Sequence, residues 1–371
     1  MQSDTPPLDD TTRAAVCDAW ALSARTTFAR LGNGLIHLTL SVRDGARQFV
    51  LQRINTAIFR APQTVLQNLQ TVTAHLDRER AAGRYDYEVL ELVPTSDGAL
   101  SLKLGDTSWW RMLAFVPDTR THEIALSADL AFEAARGFGA FARALGNLPE
   151  DAVGETIPGF HDPVQRYEHF LRAVAEDRLG RLGDCRDECD AATALGELIG
   201  RWRSLAVDLP LRIVHNDCKL NNILFDLADR AVCVIDLDTV MPGSPLFDFG
   251  DLVRTIVNPE PEDSTRVDRV AVRHDLFAAV ARGYLEGSGS LLDDIERANL
   301  VFGARLVTGV LALRFLADHL DGDEYFRVER PRHNLDRARN QLALLSWLEA
   351  DDAQLQALVH TPAGHDPHPA V

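Results

Sequence analysis

Alternating apolar and polar positions mark the first third of the chain. Leu38–Val42 alternates in this way, Asp44-Gly45 is a hairpin turn signal, and Gln48–Ile54 has the composition of the partner strand. Further short apolar runs predict additional strands at Tyr87–Val93, Ala99–Leu104 and Trp109–Val116, the last of which is broken by Pro117-Asp118. The pattern therefore predicts a small antiparallel sheet that ends near residue 117.

Helical spacing interrupts this sheet once and then takes over. Pro62–Arg80 has a proline in its first turn and apolar residues at i, i+3 and i+4 spacings, which predicts one helix beside the strands. Beyond residue 127 the spacing predicts helices at Leu130–Leu145, Pro163–Leu179, Glu188–Leu205, 266–286, 291–318 and 332–350. We expect an α+β fold with two lobes: residues 1–117, with a flexible leader at 1–10, and a larger, mainly helical lobe at 118–371, with a flexible tail at 360–371.

The most polar segment of the chain lies between short apolar runs in Leu211–Asp238. Leu211–Val214 is too short for a helix and suits a buried strand, and the next residues, HNDCKLNN, form a polar loop. Apolar runs within residues 223–235 then predict a hairpin, and Asp236 follows its second strand. This order of elements brings the polar loop and the end of the hairpin together.

The spacing inside this segment is His-x-Asp-x-x-x-x-Asn, followed by an aspartate after a strand. Phosphoryl transfer in the manner of protein kinases uses these groups at this spacing. Asp217 would take the proton of an acceptor hydroxyl, and Lys219 would neutralise charge on the transferred phosphoryl group. Asn222 and Asp236 would hold Mg²⁺ against the phosphates of ATP. The alternative is a polar loop whose Asp and Asn are ordinary turn residues.

Three features of the predicted sheet fit a nucleotide-binding lobe of the same kind. Gly32 and Gly34 would let the backbone approach phosphate, although two glycines around an Asn are also typical of an ordinary turn. Arg53 lies where kinases carry a lysine on the third strand, and a solvated arginine is its alternative. The backbone around Ala114–Val116 would form the adenine-binding hinge, where the Phe115 side chain would either line the nucleotide pocket or simply pack. The helix at Pro62–Arg80 has no inward glutamate, so the partner of Arg53 stays open.

Composition and charge exclude several classes of function. The 371 residues are 46% hydrophobic and carry a net charge of −17, which argues against nucleic acid and anionic membranes as partners. Five cysteines at irregular spacings predict reduced thiols rather than a disulfide framework. The acidic N-terminus is unlike a signal peptide, and Leu300–Leu316 is interrupted by Arg305 and Arg314, so we expect a cytoplasmic protein with no membrane span.

Several segments resemble one family of small-molecule kinases. HNDCKLNN, VIDLDTVMPG and LFDFGDLVR are similar to the aminoglycoside phosphotransferase and choline kinase superfamily. LQRIN, IPGFHDPVQRY and ALRFLADHLDGDEYF are most similar to its N-acetylhexosamine 1-kinase group. The resemblance covers most of the chain, from about Gly32 to Leu345, and implies a two-lobed protein-kinase-like fold that binds Mg²⁺ and ATP in its cleft.

The resemblance also implies roles for residues outside the polar loop. Asp248 would hydrogen-bond the loop, with His215 in a supporting position beside it, and a helix N-cap is the compatible alternative for Asp248. Arg314 and Tyr325 fall on residues that contact the sugar in the resembled group. From the residues alone, the buried charge of Arg314 needs either a substrate group or a structural carboxylate such as Asp318.

One difference from the resembled group concerns the acceptor. The first glycine turn of that group continues with polar residues that help to bind the sugar, and Leu35 and Leu38 stand at two of those positions here. We therefore expect a kinase for a small sugar, first of all the anomeric hydroxyl of a hexose or N-acetylhexosamine, acting as a monomer or homodimer. An aminoglycoside or amino-alcohol phosphotransferase is the second interpretation, and a nucleotide-binding pseudokinase is the third.

Overall fold

The computed structural model describes residues 8–31 and 36–360, and its architecture is the predicted two-lobed α+β fold. The N-lobe is an antiparallel sheet in the order β1-β2-β3-β6-β4, with β5 paired to β6. Its strands are β1 (Thr27–Arg30), β2 (Leu38–Asp44), β3 (Arg47–Ile54), β4 (Leu92–Val93), β5 (Leu102–Leu104) and β6 (Ser108–Ala114). Its helices are α1 (Asp10–Ala19) and α2 (Pro62–Ala81).

Side-chain alternation gives the N-lobe sheet two different faces. Leu40, Leu51 and Met112 pack on an outer face with Val16 of α1 and with Trp20, which follows it. The inner face turns toward α2 and the C-lobe, because Val50 and Leu113 pack against the main core there. The face on which a strand residue lies therefore decides whether it can reach the cleft between the lobes.

Helix α2 is docked onto the C-lobe by an amide rather than by a carboxylate. The Asn68 Nδ2 group donates to the carbonyls of Gly154 at 2.7 Å and Val240 at 3.2 Å, and its Oδ1 accepts the Gly154 N–H. The only acidic residue buried on α2 is Glu79, which pairs with Arg84 at the end of the helix. No carboxylate of α2 is thus available to an N-lobe cation in the cleft.

The C-lobe is mainly helical. Its helices are α3 (Ala128–Leu145), α4 (Pro163–Glu176), α5 (Arg186–Thr193), α6 (Gly196–Leu205), α7 (Pro245–Ile256), α8 (His274–Ser288), α9 (Asp294–Ala298), α10 (Leu300–Asp321), α11 (His333–Ala350) and α12 (Asp352–His360). Helices α3 and α8 cross at close range, since a Cβ at Gly287 would lie 2.2 Å from the Arg136 carbonyl oxygen. This packing forms the floor beneath the polar loop.

Two short antiparallel pairs carry the polar segment. β7 (Arg212–Val214) pairs with β10 (Met241–Gly243), and β8 (Ile223–Phe225) pairs with β9 (Ala231–Val234). The 215–222 loop leaves β7 and enters β8 through a 3₁₀ turn at Leu220–Asn222. The predicted strand–loop–hairpin order is therefore confirmed, and it places the loop between the two lobes.

Helix α10 is the one helix in the described part of the chain that is long and apolar enough to cross a membrane. Of its most apolar window, 94% is buried inside the fold. Arg314, on this helix, is also buried, as is the rest of its last turns. The helix packs in an apolar cluster of the C-lobe that is separate from the main core. The interrupted apolar run predicted such a buried helix.

Some predicted element bounds are wrong. The helix expected over Glu188–Leu205 is two helices, and the Tyr167 hydroxyl donates to the Thr193 carbonyl at 2.7 Å where α5 ends. The strand expected over Tyr87–Val93 is reduced to β4, and β1 was not predicted. The predicted leader is too long, because Leu8 is buried and Asp9 caps α1. Residues 1–7 and all of the predicted tail after His360 lie outside the described residues.

Candidate active site

The backbone of the 215–222 loop is held by buried groups. Asn216 has a φ of 64°, a left-handed conformation that Asn adopts more readily than most residues. Asp248, in the first turn of α7, accepts the N–H of His215 at 3.0 Å and that of Asn216 at 2.7 Å. The His215 Nε2 donates to the Ile235 carbonyl at 3.0 Å, which ties the loop to the residue before Asp236. His215 and Asp248 are fully buried, so they support the loop and do not line the cleft.

Asp217 is half-buried and has two close partners on the same loop. Asn222 Nδ2 donates to Asp217 Oδ2 at 2.8 Å, and Lys219 Nζ lies 3.0 Å from the same oxygen. Burial raises the pKa of Asp217, but the charge of Lys219 and its hydrogen bond outweigh burial and hold this pKa below its ordinary value. Asp217 is therefore ionised at neutral pH, which a proton acceptor requires.

Two oxygen atoms beside Asp217 suit a divalent cation. The Asn222 amide donates to the carbonyl and the carboxylate of Asp217, which turns Asn222 Oδ1 the other way. Asp236 follows β9 with a φ of 60°, and its side-chain carboxylate accepts no hydrogen bond from a residue that the structure describes. Burial and the nearby carboxylates of Asp238 and Asp217 raise the pKa of Asp236. Hard oxygens and uncompensated negative charge are what Mg²⁺ prefers, so Asn222 and Asp236 fit such an ion.

A buried ion pair joins the lobes beside Asp236. Arg111 of β6 binds Asp238 in a bidentate manner, with Nη1–Oδ1 at 2.5 Å and Nη2–Oδ2 at 2.9 Å. His37 Nε2 is 2.7 Å from Asp238 Oδ2. Burial raises the pKa of Asp238, but Arg111 and His37 outweigh burial and hold this pKa well below its ordinary value. One ligand atom from each of His37, Asp236 and Asp238 lies within 4.8 Å of the others.

The sequence analysis did not include Arg111, His37 or Asp238 among the site residues. The available signals were a lone charged residue inside the apolar strand WWRMLAFV and the second aspartate of the DLD triplet. A buried charge needs a partner, and these two segments supply opposite charges. Nothing in the sequence pairs them, because they are 127 residues apart.

Strand alternation separates Arg53 from this cluster. Gln52, the preceding residue, lies on the inner face, where its Oε1 accepts from Arg111 at 2.8 Å and its Nε2 donates to Thr39 at 3.2 Å. Arg53 is on the outer face, opposite Trp110, with its guanidinium 5.9 Å from the Trp110 ring centroid. The structure thus brings Gln52 and Arg111, rather than Arg53, to the cleft beside Asp238.

Other N-lobe predictions have different outcomes. Gly32 and Gly34 lie outside the described residues, as does Leu35. Phe115 follows β6 and is half-buried, and its N–H donates to the Gln48 carbonyl at 3.3 Å. Leu38 packs with the outer-face cluster. A leucine at that position therefore removes no polar group from the cleft.

His161 connects the loop to the opposite, C-lobe side of the cleft. Its Nε2 donates to the Asn216 carbonyl at 2.8 Å, and its ring stacks on Phe247 with the ring centroids 5.3 Å apart. The ring of Phe160 packs edge-on against it at 4.5 Å. Burial, with a contribution from Arg314, lowers the pKa of His161 to about 3. His161 is therefore neutral at physiological pH. The sequence analysis assigned no role to this residue.

Arg314 lies next to this histidine among aromatic rings. Its guanidinium carbon is 5.0 Å from the ring centroid of Phe160, 5.4 Å from that of Tyr325 and 5.3 Å from that of Phe326. Its single hydrogen bond to a described residue is from Nη2 to the Tyr325 hydroxyl at 3.3 Å. Arg314 is 8% exposed and Tyr325 is 41% exposed, so the pair lines an opening rather than a sealed core. The structure brings Arg314 and Tyr325 together, as the resemblance implied.

Asp318 does not neutralise Arg314. Its carboxylate accepts the N–H groups of Tyr325 at 2.8 Å and Phe326 at 2.9 Å, and the Asn334 side-chain amide at 2.8 Å. The structural alternative for Arg314 is therefore corrected: Asp318 fixes the backbone that carries the two aromatic side chains.

A second arginine on this side also lacks a carboxylate partner. Arg166 donates only to the Phe160 carbonyl, at 3.3 Å from Nη2 and 3.4 Å from Nε, among the described residues. Burial and the like charge of Arg314 lower the pKa of Arg166 to about 10. Of the two acids within four residues of Arg166, Asp162 caps α4 and Glu168 pairs with Arg203. Arg166, Arg314, Phe160, Tyr325 and Phe326 are called the arginine pocket below.

Comparison with known families identifies the chain. The family model described as "Phosphotransferase enzyme family" (APH) matches residues 27–299, well over half of the 371 residues. The chain belongs to this family. The match contains the N-lobe sheet and the 215–222 loop, and it ends before Arg314 and Tyr325.

Solved structures of phosphotransferases share the fold along nearly the whole chain. A microcompartment-associated aminopropanol kinase superposes with a TM-score of 0.65 at 17% identity, covering 94% of this chain and 99% of its own. An aminoglycoside phosphotransferase from Alicyclobacillus acidocaldarius gives 0.63 at 15% identity, with coverages of 96% and 98%. A spectinomycin phosphotransferase in complex with ADP and spectinomycin gives 0.59 at 10% identity, with coverages of 92% and 99%. These likenesses establish the APH-like kinase fold.

Proposed function

We propose that this phosphotransferase transfers the γ-phosphoryl group of ATP to a hydroxyl group of a small sugar. A hexose or N-acetylhexosamine is the first candidate acceptor, and its anomeric hydroxyl is the first candidate site. Family membership supports the reaction class. The similarity of IPGFHDPVQRY and ALRFLADHLDGDEYF to the N-acetylhexosamine 1-kinase group supports the acceptor, since Phe160, Arg166, Arg314 and Tyr325 of the arginine pocket lie in these two segments.

The two arginines without a carboxylate partner are the main support for the proposed class of acceptor. Arg314 and Arg166 face one opening with no carboxylate partner in the described part of the chain. A cationic acceptor about 5 Å from one such charge would be repelled by roughly 3 kcal/mol at an effective dielectric constant of about 20. A neutral sugar offers hydroxyl oxygens, which accept hydrogen bonds from guanidinium groups. The pocket therefore favours an uncharged acceptor over an amine.

The residues of the 215–222 loop supply the chemistry. Asp217 orients the acceptor hydroxyl and takes its proton, and its low pKa keeps it ionised for that step. Lys219, 3.0 Å from Asp217, provides positive charge where the phosphoryl group is transferred. Asn222 and Asp236 would hold Mg²⁺, which neutralises phosphate charge when it is bound. Asp248 and His215 keep the loop in this geometry through its backbone.

An amine kinase is the main alternative. The similar structures include an aminopropanol kinase and aminoglycoside phosphotransferases, but at 10–17% identity they establish the fold and not the acceptor. An acceptor amine would require carboxylates near the hydroxyl site. Asp162 and Asp318, two acids beside the arginine pocket, are already bound to backbone N–H groups.

The test is release of ADP from Mg·ATP with a panel of neutral hexoses, N-acetylhexosamines, amino sugars and aminoglycosides. We expect turnover with a neutral sugar, and the position of the new phosphate, determined by NMR, separates an anomeric from a 6-hydroxyl kinase. Preference for an aminoglycoside or amino alcohol would overturn the proposed acceptor. Tight Mg·ATP binding without turnover of any acceptor would overturn the kinase assignment in favour of a pseudokinase.

A further inference from the structure

The cleft contains a cation that the general kinase plan does not place there. In that plan a lysine on the third strand contacts the nucleotide phosphates and pairs with a glutamate on the following helix. Here Arg53 is on the outer face of the sheet, and α2 presents no carboxylate to the cleft in the residues that the structure describes. Arg111, on β6, the strand that pairs with β3, is the inner-face cation instead.

Arg111 is too enclosed to be a phosphate ligand in this conformation. Its side chain is 2% exposed and that of Asp238 is 1% exposed. Asp238 receives both Nη atoms, and Gln52 Oε1 accepts from Nε at 3.0 Å and from Nη2 at 2.8 Å. Four hydrogen bonds from the guanidinium thus join the N-lobe sheet to the turn that carries Asp238.

That turn also carries Asp236, two residues earlier, in a left-handed backbone conformation. The Thr156 hydroxyl donates to the Asp238 carbonyl at 2.6 Å, so the backbone of the turn is fixed on its other side. His37 lies directly before β2. Its Nδ1 accepts the Asn55 N–H, and its Nε2 therefore carries the hydrogen donated to Asp238.

We propose that the Arg111–Asp238 pair, completed by His37, positions Asp236 and β2 for Mg·ATP. Arg111, Asp238 and His37 are positioning residues, because they act through Asp236 and through the lobe contact. Unlike the lysine–glutamate pair of protein kinases, whose two members both belong to the N-lobe, this ion pair joins the two lobes. Arg111 also compensates the charge of Asp238. Of the two carboxylates on this turn, Asp236 is therefore the one that is free for a cation. This inference rests on the proposed function, because it assumes an ATP-dependent reaction.

The test compares Arg111→Met, Arg111→Lys and Asp238→Asn with wild type by nucleotide-binding titration, with and without Mg²⁺ and without acceptor, and by steady-state kinetics with the best acceptor found for the wild-type protein. In the titrations, Arg111→Met should lose most of the affinity for ATP that Mg²⁺ adds in wild type, and an unchanged gain would contradict the positioning role. We expect the KM for ATP and the Mg²⁺ concentration for half-maximal rate to rise roughly 10–100-fold in Arg111→Met, the usual cost of losing a group that orients a metal ligand. The KM for the acceptor should change less than threefold. Arg111→Lys should recover part of the loss, because it keeps the charge but not the bidentate contact.

Arg84→Met is the matched control. It removes a bidentate arginine–glutamate pair from α2 of the same lobe, and Arg84 has no contact with the cleft cluster. We expect Arg84→Met to lower thermal stability without changing the KM for ATP. Gln52→Ala provides a milder perturbation if Arg111→Met does not fold, since it removes the support behind Arg111 and leaves the ion pair.

The outcomes separate this inference from the proposed function. Absence of ATP-dependent turnover in the wild-type protein would contradict the proposed function itself. An active wild type, together with folded Arg111→Met and Gln52→Ala variants whose KM for ATP and Mg²⁺ dependence are unchanged, would overturn only the positioning role. Equal increases in KM for ATP and for the acceptor would also overturn it, because they indicate a general structural effect.

Discussion

The two sides of the 215–222 loop differ in the way that charge is arranged. On the N-lobe side, Asp217 is paired with Lys219 and Asp238 is paired with Arg111, while Asp236 has no hydrogen-bond donor among the described residues. On the C-lobe side, the arginine pocket has two cations and no carboxylate partner in the same part of the structure. One side therefore has spare negative charge and the other has spare positive charge.

This difference indicates what each side is suited to bind. Spare carboxylate and amide oxygens suit a divalent cation that accompanies the phosphates. Spare guanidinium groups among aromatic rings suit a neutral acceptor with many hydroxyl oxygens. The loop between them carries Asp217, the single group that both sides require. Substitutions that affect one side only are the best means of testing the comparison.

The largest expected effect is that of Asp217→Asn. Loss of the general base should lower kcat by roughly 10²–10⁴-fold, while ATP still binds. Steady-state kinetics and a nucleotide-binding titration give the two quantities. Asp226→Asn, in the exposed turn of the same hairpin, is a control that should keep kcat near wild type. An unchanged kcat in Asp217→Asn would remove the assigned role.

Arg314→Gln should affect the acceptor side alone. The KM for the acceptor should rise roughly 10–100-fold, the range for losing hydrogen bonds from a charged donor. The KM for ATP should stay within about twofold of wild type, because Arg314 has no contact with the N-lobe cluster. Steady-state kinetics with each substrate varied in turn measures both constants. Equal changes in the two constants would contradict the separation of the sides.

Asp318→Asn should have a smaller effect on the same side. The carboxylate accepts the N–H groups of Tyr325 and Phe326, and an amide cannot accept both in the same manner. We expect about a fivefold rise in the KM for the acceptor, equivalent to a hydrogen bond worth about 1 kcal/mol. A rise as large as that of Arg314→Gln would mean that Asp318 contacts the acceptor directly.

The smallest expected effect is on how the free energy of unfolding depends on pH. His161 has a pKa of about 3 in the folded protein and about 6.5 when unfolded, so only the unfolded chain gains this proton between those pH values. Its contribution to stability is full above pH 6.5 and is lost as the pH falls from 6.5 toward 3. In His161→Gln the free energy of unfolding should therefore change less steeply with pH over this window, by up to about 1.4 kcal/mol per pH unit. Urea denaturation from pH 4.5 to 7 measures this slope, and equal slopes would show that His161 is protonated in the folded protein.

The N-lobe side of the site was largely predictable because its groups are close in sequence. Asp217, Lys219, Asn222 and Asp236 lie within one strand–loop–hairpin unit, and short-range geometry fixes their relative positions. The two-lobed α+β fold followed from the change between alternating and helical spacing. The prediction for the third strand was less accurate. Alignment of VLQR with the kinase strand placed Arg53 in the cleft, whereas the inner face of β3 carries Gln52.

The arginine pocket and the lobe contact could not be assembled from local patterns. Arg111 and Asp238 are 127 residues apart, and Arg314 meets Phe160 across the packing of the α4 and α10 regions. The interrupted apolar run pointed to Arg314 and only the resemblance pointed to Tyr325, and neither signal paired the two residues. Pairing over such distances depends on tertiary packing, which periodicity does not encode.

The central claim is that the acceptor side of the cleft is built for an uncharged molecule. Its most direct test is the ratio of kcat/KM for a neutral hexose that is turned over and for its 2-amino derivative, measured at a pH where the amine is protonated. We predict that the neutral sugar is preferred at least roughly tenfold, as expected for about 1.4 kcal/mol or more of repulsion, and that Arg314→Gln narrows the ratio. A wild-type preference for the protonated amine would contradict the account.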